Sequence, residues 1–388
     1  MDLLKMTSLN LTGKRLLIRA DLNVPIIGGH VTSDARILAI IPTIQFALSE
    51  GASIILMSHL GRPIEGQFDR DFSLEPVANR LESELGKDVC LIKNWRDEGK
   101  NDFGEISLLE NVRFNQGEKA DDESLAQAYA NLCDIFVMDA FGTAHRAHAS
   151  THGVAQYATM ACAGPLLIKE LEALAKALKT PKRPIMAIVG GSKVSGKLQL
   201  LERLSTQVDQ LVIGGGILNT FLAATGISVG KSLFEEELIS SARKLMTKVD
   251  IPLPVDLVVG KALSESSKAT VRPVDKVRSD EMILDVGPDS ANYLASLIGK
   301  MGTIIWNGPL GVFEYEQFGK ATQTLALAIG QHNGFSIAGG GDTIAAVEKY
   351  GVGDEISYIS TGGGAFLESV QGKELPGVEI LKRRAVGG

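Results

Sequence analysis

The chain has 388 residues, more than one typical domain, so its length predicts two domains. Hydrophobic residues make up 45% of it and charged residues 22%, proportions that exclude a disordered or fibrous protein. The net charge of −7 argues against a nucleic-acid partner bound through bulk positive potential. Three cysteines without paired spacing, Cys90, Cys133 and Cys162, argue against a disulfide framework or a zinc site.

No apolar run approaches the roughly 18 residues that a membrane-spanning helix needs. The first residues, which include Asp2 and Lys5, do not have the pattern of a secretory signal. We therefore expect a cytoplasmic protein that has no membrane partner.

Short runs rich in Ile, Leu and Val alternate with helical patterns along the whole chain. The predicted strands are 15–19, 53–57, 89–92, 106–109 and 135–138, then 185–189, 210–213, 257–259, 303–306, 335–338 and 356–359. Nearly continuous apolar strands of this kind are typical of parallel sheets that are covered on both faces. We therefore expect about five parallel strands in the first half and about six in the second.

The first predicted helix carries Ile37, Ile41 and Ile44 on one face, after a cap at Ser33 or Asp34. Pro42 lies inside this pattern and predicts a kink or a late start of the helix. A second helical stretch, 166–179, is followed by a turn signal at 180–184 and marks the predicted domain boundary.

Repeated strand–helix units predict an α/β fold with two Rossmann-like domains, each built on a doubly wound parallel sheet. A helix and hinge would join the domains, with a cleft between them. Ligands bind such sheets beyond the carboxyl ends of the strands, so the loops there are the candidates for chemistry.

Arginines recur in the strand-end loops of the first half. These loops and the start of the first helix contain Arg19, Asp21, Asn23, Arg36, His59, Arg62, Arg113 and Arg146. A guanidinium group matches phosphate or carboxylate, so this set predicts a small ligand with several negative charges. Any one of these arginines alone is better explained as a solvated surface charge.

Three neighbouring histidines, His145, His148 and His152, suggest a metal site only superficially. Cysteine or carboxylate ligands at a suitable spacing are missing around them, so we reject that interpretation. Capping and loop hydrogen bonds account better for His145 and His152.

Glycine runs follow the strands of the second half, at 190–191, 214–216, 339–341 and 362–364. Glycines allow backbone N–H groups to approach a phosphate, although any single run taken alone is better explained as a turn. Gly191 to Lys197 fits a P-loop except that Leu198 replaces its Ser or Thr, so we reject the motif and retain Lys193 and Lys197. Asp342 either caps a helix that starts at Thr343 or binds Mg²⁺, and it can do both.

Seven of these stretches, in order along nearly the whole chain, resemble the phosphoglycerate kinase family. They are RADLNVP at 19–25, SHLGRP at 58–63, ENVRF at 110–114, HRAHAS at 145–150, GGSKV at 190–194, WNGP at 306–309 and GGGDT at 339–343. The family often has Ala where Ser192 stands, a small change that affects no position needed for the chemistry.

The resemblance implies reversible transfer of the acyl phosphate of 1,3-bisphosphoglycerate to MgADP, which gives 3-phosphoglycerate and ATP. It implies a monomer in which residues 1–168 with 372–388 bind 3-phosphoglycerate and residues 169–371 bind the nucleotide. Transfer would be direct and in line, after closure about the hinge.

The motif matches also imply the role of each residue. The 3-phosphoglycerate ligands would be Asp21, Asn23, Arg36, His59, Arg62, Arg113 and Arg146. The nucleotide ligands would be Lys197, Gly216, Glu314, Gly340, Gly341, Asp342 and Thr343, with Asp342 holding Mg²⁺. The catalytic groups around the transferred phosphoryl would be Arg36, Lys193, Gly341 and Gly364.

Two other functions fit a two-domain α/β protein. A nicotinamide-dependent dehydrogenase is disfavoured because Asn219 replaces the last glycine of the dinucleotide pattern that begins at Gly214. A binding protein for an anionic sugar is disfavoured because mere capture does not need both Lys193 and Lys197.

Overall fold

The computed structural model describes residues 3–96 and 103–386. The chain divides into two compact units, of which the first runs to Leu171 and resumes at Glu374. The second unit spans Glu172–Lys373, so the division falls inside the helix Pro165–Leu178.

The first unit is built on a parallel sheet of six strands in the order β5-β6-β4-β1-β7-β8. Its elements in chain order are β1 (Arg15–Ala20), β2 (Ile26–Ile27), β3 (His30–Val31), α1 (Ala35–Ser49), β4 (Ser53–Met57), α2 (Glu75–Leu85), β5 (Cys90–Ile92), β6 (Ile106–Leu109), α3 (Glu123–Ala130), β7 (Ile135–Asp139), α4 (Val154–Tyr157), β8 (Met160–Ala163) and α5 (Pro165–Leu178).

Alternate residues of the central strands form one side of the first core. Leu16 and Ile18 of β1 belong to the same buried cluster as Ile37 of α1 and Val77 of α2. Leu16 lies opposite Ile54 of β4 in register. The apolar stripe on α1 that the sequence predicts therefore packs against the sheet.

The first unit differs from the sequence predictions at one strand and at the start of one helix. The strand Met160–Ala163 was not predicted, because Met-Ala-Cys-Ala has little of the β-branched character that marks strands. Helix α1 has no late start, because it begins at Ala35 and includes Pro42. Asp34 stands at the N-cap, but its carboxylate accepts hydrogen bonds from Arg80 rather than capping the helix.

The first unit is completed by a helix from the far end of the sequence, α13 (Pro376–Val386). Its residues Val378, Ile380 and Leu381 are buried. The N–H of Gly377 donates to the carbonyl of Ala144 at 2.9 Å, and Arg384 donates to the carbonyl of Ala158 at 2.7 Å. The segment is thus tied to α4 and β8 by both apolar and polar contacts.

The second unit is built on a parallel sheet of five strands in the order β10-β9-β14-β15-β16. Its elements are β9 (Ile185–Gly190), α6 (Leu198–Leu204), β10 (Gln210–Gly214), α7 (Gly215–Ala224), α8 (Ile239–Met246), β11 (Asp256–Gly260), β12 (Thr270–Pro273), β13 (Met282–Val286), α9 (Pro288–Ile298), β14 (Thr303–Asn307), α10 (Lys320–Gly330), β15 (Phe335–Gly339), α11 (Gly341–Tyr350), β16 (Tyr358–Ser360) and α12 (Gly364–Val370).

The strand predicted at 257–259 exists, but it does not belong to the parallel sheet. It is β11, the centre of a separate antiparallel sheet in the order β12-β11-β13. An apolar run looks the same in both kinds of sheet, so the pattern alone could not separate them. The strand predicted at 356–359 lies at Tyr358–Ser360, two residues later at its start. The predicted α/β fold with two parallel sheets is confirmed.

Candidate active site

The strand order of the first sheet brings the predicted substrate residues to one edge. From β1 the chain continues to β4 on one side, and from β7 it continues to β8 on the other. The point between β1 and β7 is therefore where such a sheet binds its ligand. The predicted residues follow the ends of these strands and their neighbours: Asp21 and Asn23 after β1, His59 and Arg62 after β4, Arg113 after β6 and Arg146 after β7.

His59 lies at the centre of this group and is only 6% exposed. Its Nδ1 is 3.2 Å from Nη2 of Arg19. Burial, and then the positive charges of Arg19, Arg113, Arg146 and Arg36, lower the pKa of His59 well below its usual value. His59 is therefore a neutral imidazole among guanidinium groups.

Arg113 is buried, and one of its Nη1 hydrogens is donated to the carbonyl of Gly61. Burial, followed by the positive charges of Arg146, Arg19 and Arg62, lowers the pKa of Arg113 to about 10, while the charge of Glu118 opposes the shift. The cations repel one another, so a bound polyanion would relieve an electrostatic cost.

Arg36, in the first turn of α1, is tied to the loop after β1. Its Nη1 donates to Oδ1 of Asp21 and to the carbonyl of Asn23, each at 3.0 Å. The amide oxygen of Asn23 accepts the N–H of Gly61 at 2.9 Å. Asp21 and Asn23 thus hold Arg36 and the loop after β4 in place.

Three further residues of this site were given no individual role in the sequence analysis. Nε of Arg19 donates to Oγ of Ser150 at 3.1 Å, and that hydroxyl donates to Oε1 of Glu118 at 2.5 Å. Burial raises the pKa of Glu118 to about 7, against the opposing effect of Ser150 and Arg19. Arg19 and Ser150 lie in motifs singled out above, whereas Glu118 lies in a polar stretch without any pattern.

The second sheet has the same kind of switch point, here between β9 and β14. Nζ of Lys197, in the loop after β9, donates to the carbonyl of Gly190 at 2.5 Å and to Oδ1 of Asn307 at 2.6 Å. Burial lowers the pKa of Lys197 to about 8, and the charge of Asp342 opposes this shift. Asn307, at the end of β14, is another residue to which the sequence analysis gave no role.

Helix α11 begins at this edge with unpaired backbone N–H groups. Its N-cap is Gly340, with φ of 101°, and a Cβ there would lie 2.7 Å from Nδ2 of Asn307. Asp342 is exposed in the first turn rather than at the cap, so the predicted capping of a helix that starts at Thr343 is wrong. Backbone N–H groups in the first turn of a helix can bind an anion.

The side chain of Thr343 already makes two hydrogen bonds within the protein. Its hydroxyl donates to the carbonyl of Gly339 at 2.9 Å and accepts the N–H of Gly308 at 2.8 Å. The backbone N–H of Thr343 is therefore the group that it can offer to a phosphate.

Close approach between backbones explains part of the glycine-rich sequence. A Cβ on Gly216, in the first turn of α7, would lie 2.3 Å from the carbonyl oxygen of Ser192. The loop after β9 is also fixed by Ser195, whose N–H donates to Glu235 at 2.9 Å. Gly216 thus lets α7 pack on the loop that carries Lys193, whose side chain is exposed.

The remaining predicted residues follow other strands. Glu314, after β14, is exposed and lines a cavity of about 600 Å³ together with Tyr315, Lys349 and Tyr350. Gly364 is the first residue of α12.

The histidines of the first unit hold loops. Nδ1 of His152 is 2.6 Å from Oδ2 of Asp121, and His148 forms a reciprocal cap with Thr151. Nε of Arg146 donates to Nε2 of His145 at 3.2 Å. Within residues 3–96 and 103–386, no group of three or more His, Cys, Asp or Glu side chains is arranged to hold a metal ion.

A family model described as phosphoglycerate kinase matches residues 6–373. The chain belongs to the phosphoglycerate kinase family. Its activity is the interconversion of 1,3-bisphosphoglycerate and ADP with 3-phosphoglycerate and ATP. The family and the kinase activity predicted from the motifs are thereby confirmed, and the dehydrogenase and binding-protein alternatives are dismissed.

Solved phosphoglycerate kinases share this fold. The structure of the enzyme from Coxiella burnetii is 52% identical, with a TM-score of 0.94 over 99% of this chain and 100% of that one. The enzyme from Pyrococcus horikoshii OT3 is 29% identical, with a TM-score of 0.82 over 99% of each chain. Among the described residues, no helix combines the length and apolar character needed to cross a membrane.

Proposed function

We propose that residues 1–168 with 372–388 form the 3-phosphoglycerate-binding domain of this phosphoglycerate kinase, and residues 169–371 its nucleotide-binding domain. The compact units divide close to these boundaries, between Leu171 and Glu172 and between Lys373 and Glu374. We also propose that the enzyme acts as a cytoplasmic monomer.

In the first domain, the guanidinium groups around His59 bind the phosphate and carboxylate of 3-phosphoglycerate. The ligands are Asp21, Asn23, Arg36, His59, Arg62, Arg113 and Arg146. Burial, and then the positive charges of neighbouring arginines, lowers the pKa values of both His59 and Arg113. The second of these causes supports the assignment, because it indicates a local excess of positive charge that an anionic ligand would balance. Neutral His59 supplies a hydrogen bond without adding another positive charge.

In the second domain, the nucleotide phosphates bind at the N-terminus of α11 beside Lys197. The ligands there are Lys197, Gly340, Gly341, Asp342 and Thr343, of which Thr343 acts through its backbone N–H. Gly216 shapes the neighbouring loop, and Glu314 binds the ribose hydroxyls.

Asp342 would hold Mg²⁺ together with the nucleotide. Magnesium is commonly bound by one or two carboxylates plus substrate phosphates, and Asp342 offers one exposed carboxylate beside the free N–H groups of α11. The donor set therefore fits Mg²⁺ that arrives with ADP or ATP. When bound, the ion neutralises charge on the phosphate oxygens.

Phosphoryl transfer needs positioning and compensation of charge on the equatorial oxygens. The carboxylate of 3-phosphoglycerate is already a nucleophile, so ATP consumption needs no general base. Arg36, Lys193 and the N–H groups of Gly341 and Gly364 surround the group during direct in-line transfer, and Lys197 follows it. Because different domains hold donor and acceptor, the domains close about the hinge, which also excludes water from the acyl phosphate.

The crowding of arginines around His59 is the strongest support for the substrate assignment, and Arg113 tests it. Calorimetry should show that Arg113→Gln weakens 3-phosphoglycerate binding roughly 10- to 150-fold, the range for a lost charged hydrogen bond. Binding of MgATP should stay as in the wild type.

The matched control is Arg80→Gln, since Arg80 on α2 pairs with Asp34 and Glu84 instead. This variant should bind both ligands normally. Equal weakening of 3-phosphoglycerate binding in the two variants would refute the assignment.

A further inference from the structure

A buried chain of polar groups in the first unit ends on His59. It runs from Glu118 through Ser150 to Arg19, and Nη2 of Arg19 lies 3.2 Å from Nδ1 of His59. Ser150 is fully buried, and Glu118 and Arg19 are each 1% exposed. The substrate assignment above uses only the last member of this chain.

The chemistry of these groups fixes the direction of each hydrogen bond. An arginine side chain donates and cannot accept, so Nδ1 of His59 must be the acceptor. A neutral imidazole with an acceptor at Nδ1 carries its proton on Nε2. Burial and the surrounding guanidinium groups keep the ring neutral by lowering its pKa.

Glu118 completes the buried end of the chain. Its Oε2 accepts the N–H of Ser150 at 3.2 Å, while its Oε1 accepts the hydroxyl of the same residue. Ser150 thereby turns its oxygen to Nε of Arg19. Burial of the Arg19 guanidinium is costly, and the negative charge of Glu118 offsets part of that cost.

We propose that Glu118 is a positioning residue: acting through Ser150 and Arg19, it holds His59 in the tautomer with its proton on Nε2. That nitrogen then offers an N–H donor to an anionic ligand. The inference deepens the proposed function and rests on it where it concerns the substrate, whereas the tautomer itself is a property of the free enzyme.

Long-range ¹H–¹⁵N spectra of the full chain labelled with [¹⁵N]histidine test this proposal at about pH 8. Burial raises the pKa of Glu118 to about 7. At pH 8 the carboxyl group is therefore still ionised. The His59 signals are assigned by their loss in His59→Gln. We expect a single tautomer, protonated on Nε2, in the wild type.

In Glu118→Gln the His59 signals should move to those of a tautomer mixture. KM for 3-phosphoglycerate should rise about tenfold, as for a weakened hydrogen bond, with KM for MgATP unchanged. Ser150→Ala breaks the same chain with a smaller change in volume and should have the same effect. If Glu118→Gln does not fold, the spectrum and the KM of Ser150→Ala test the proposal instead.

Asp139→Asn is the matched control, because Asp139 is a buried carboxylate of the same unit that binds Thr43 and the N–H of Leu167. Its His59 spectrum should equal that of the wild type. A proton on Nδ1 in the wild type, or an unchanged single tautomer in Ser150→Ala, overturns the proposal. A tautomer mixture with unchanged KM supports it and refutes instead the assignment of His59 to the substrate.

Discussion

The ammonium group of Lys197 offers a direct test of the nucleotide site proposed for the second unit. In Asn307→Leu the acceptor that lies 2.6 Å from Nζ is removed, whereas the Gly190 carbonyl at 2.5 Å remains. The substitution keeps the side chain at a similar size in a position that is 4% exposed. It should therefore act mainly on the charge of Lys197.

The expected shift follows from the lost hydrogen bond. A hydrogen bond to a charged group contributes about 1.5–3 kcal/mol, and one pKa unit corresponds to about 1.4 kcal/mol. Neutral lysine keeps part of the bond, so the pKa should fall by about one unit, from about 8 to about 7. At pH 7.5 the protonated fraction would then drop from about three-quarters to about one-quarter.

The pH dependence of kcat/KM for MgATP measures this change, because it reports ionisations of the free enzyme. A lysine loses its charge as the pH rises through its pKa. The wild-type value should therefore decline above about pH 8 and the Asn307→Leu value above about pH 7.

Thr343→Val is the control for this experiment. Asn307 Nδ2 and Thr343 Oγ1 both donate to the carbonyl of Gly339, at 2.6 and 2.9 Å, so each variant removes one hydrogen bond from that oxygen. Of these two side chains, only that of Asn307 contacts Nζ of Lys197, so Thr343→Val should leave the inflection near pH 8. An unchanged inflection in Asn307→Leu would refute the contribution of the Asn307 hydrogen bond to the pKa of Lys197.

Three further outcomes are expected. Arg36→Ala and Lys193→Ala should each lower kcat roughly 100-fold, more than they weaken binding, because their contacts strengthen in the transition state; steady-state kinetics with only KM raised would contradict this. Asp342→Ala should weaken MgADP binding in calorimetry while 3-phosphoglycerate binds normally, and equal loss of both would count against the metal assignment. Burial raises the pKa of Asp285 to about 7, so its contribution to stability is full below its usual pKa near 4 and is lost as the pH rises through 7. Between about pH 5 and 8 the free energy of unfolding of the second unit should fall by about 3 kcal/mol in the wild type, and by less in Asp285→Asn. Urea titrations followed by the fluorescence of Trp306, after replacement of Trp95, measure this free energy. Parallel plots of it against pH for the two proteins would contradict the prediction.

The sequence predicted the parallel sheets because their strands are continuous apolar runs whose burial on both faces leaves a strong pattern. It failed for Met160–Ala163, an edge strand of small residues, and for the setting of β11, whose partners β12 and β13 lie close in the chain but carry weaker patterns. Pairing partners depend on tertiary contacts that a local pattern does not contain.

The candidate site likewise contains residues that a local sequence pattern marks and residues that depend on tertiary contacts. Arg36, His59 and Arg113 could be predicted because strand ends converge at one edge of a parallel sheet. Glu118 and Asn307 could not be assigned, since their roles arise from contacts with Ser150 and Lys197 far away in sequence.

The packing of α13 on α4 and β8 has a consequence for synthesis on the ribosome. The first unit lacks one of its helices until all of Glu172–Lys373 has been translated, whereas the second unit is continuous in the chain. A nascent chain therefore holds an unfinished amino-terminal unit, with the surface that receives Val378, Ile380 and Leu381 uncovered, while the segment inserted into it is already complete. Amino-terminal folding is thus expected to finish last.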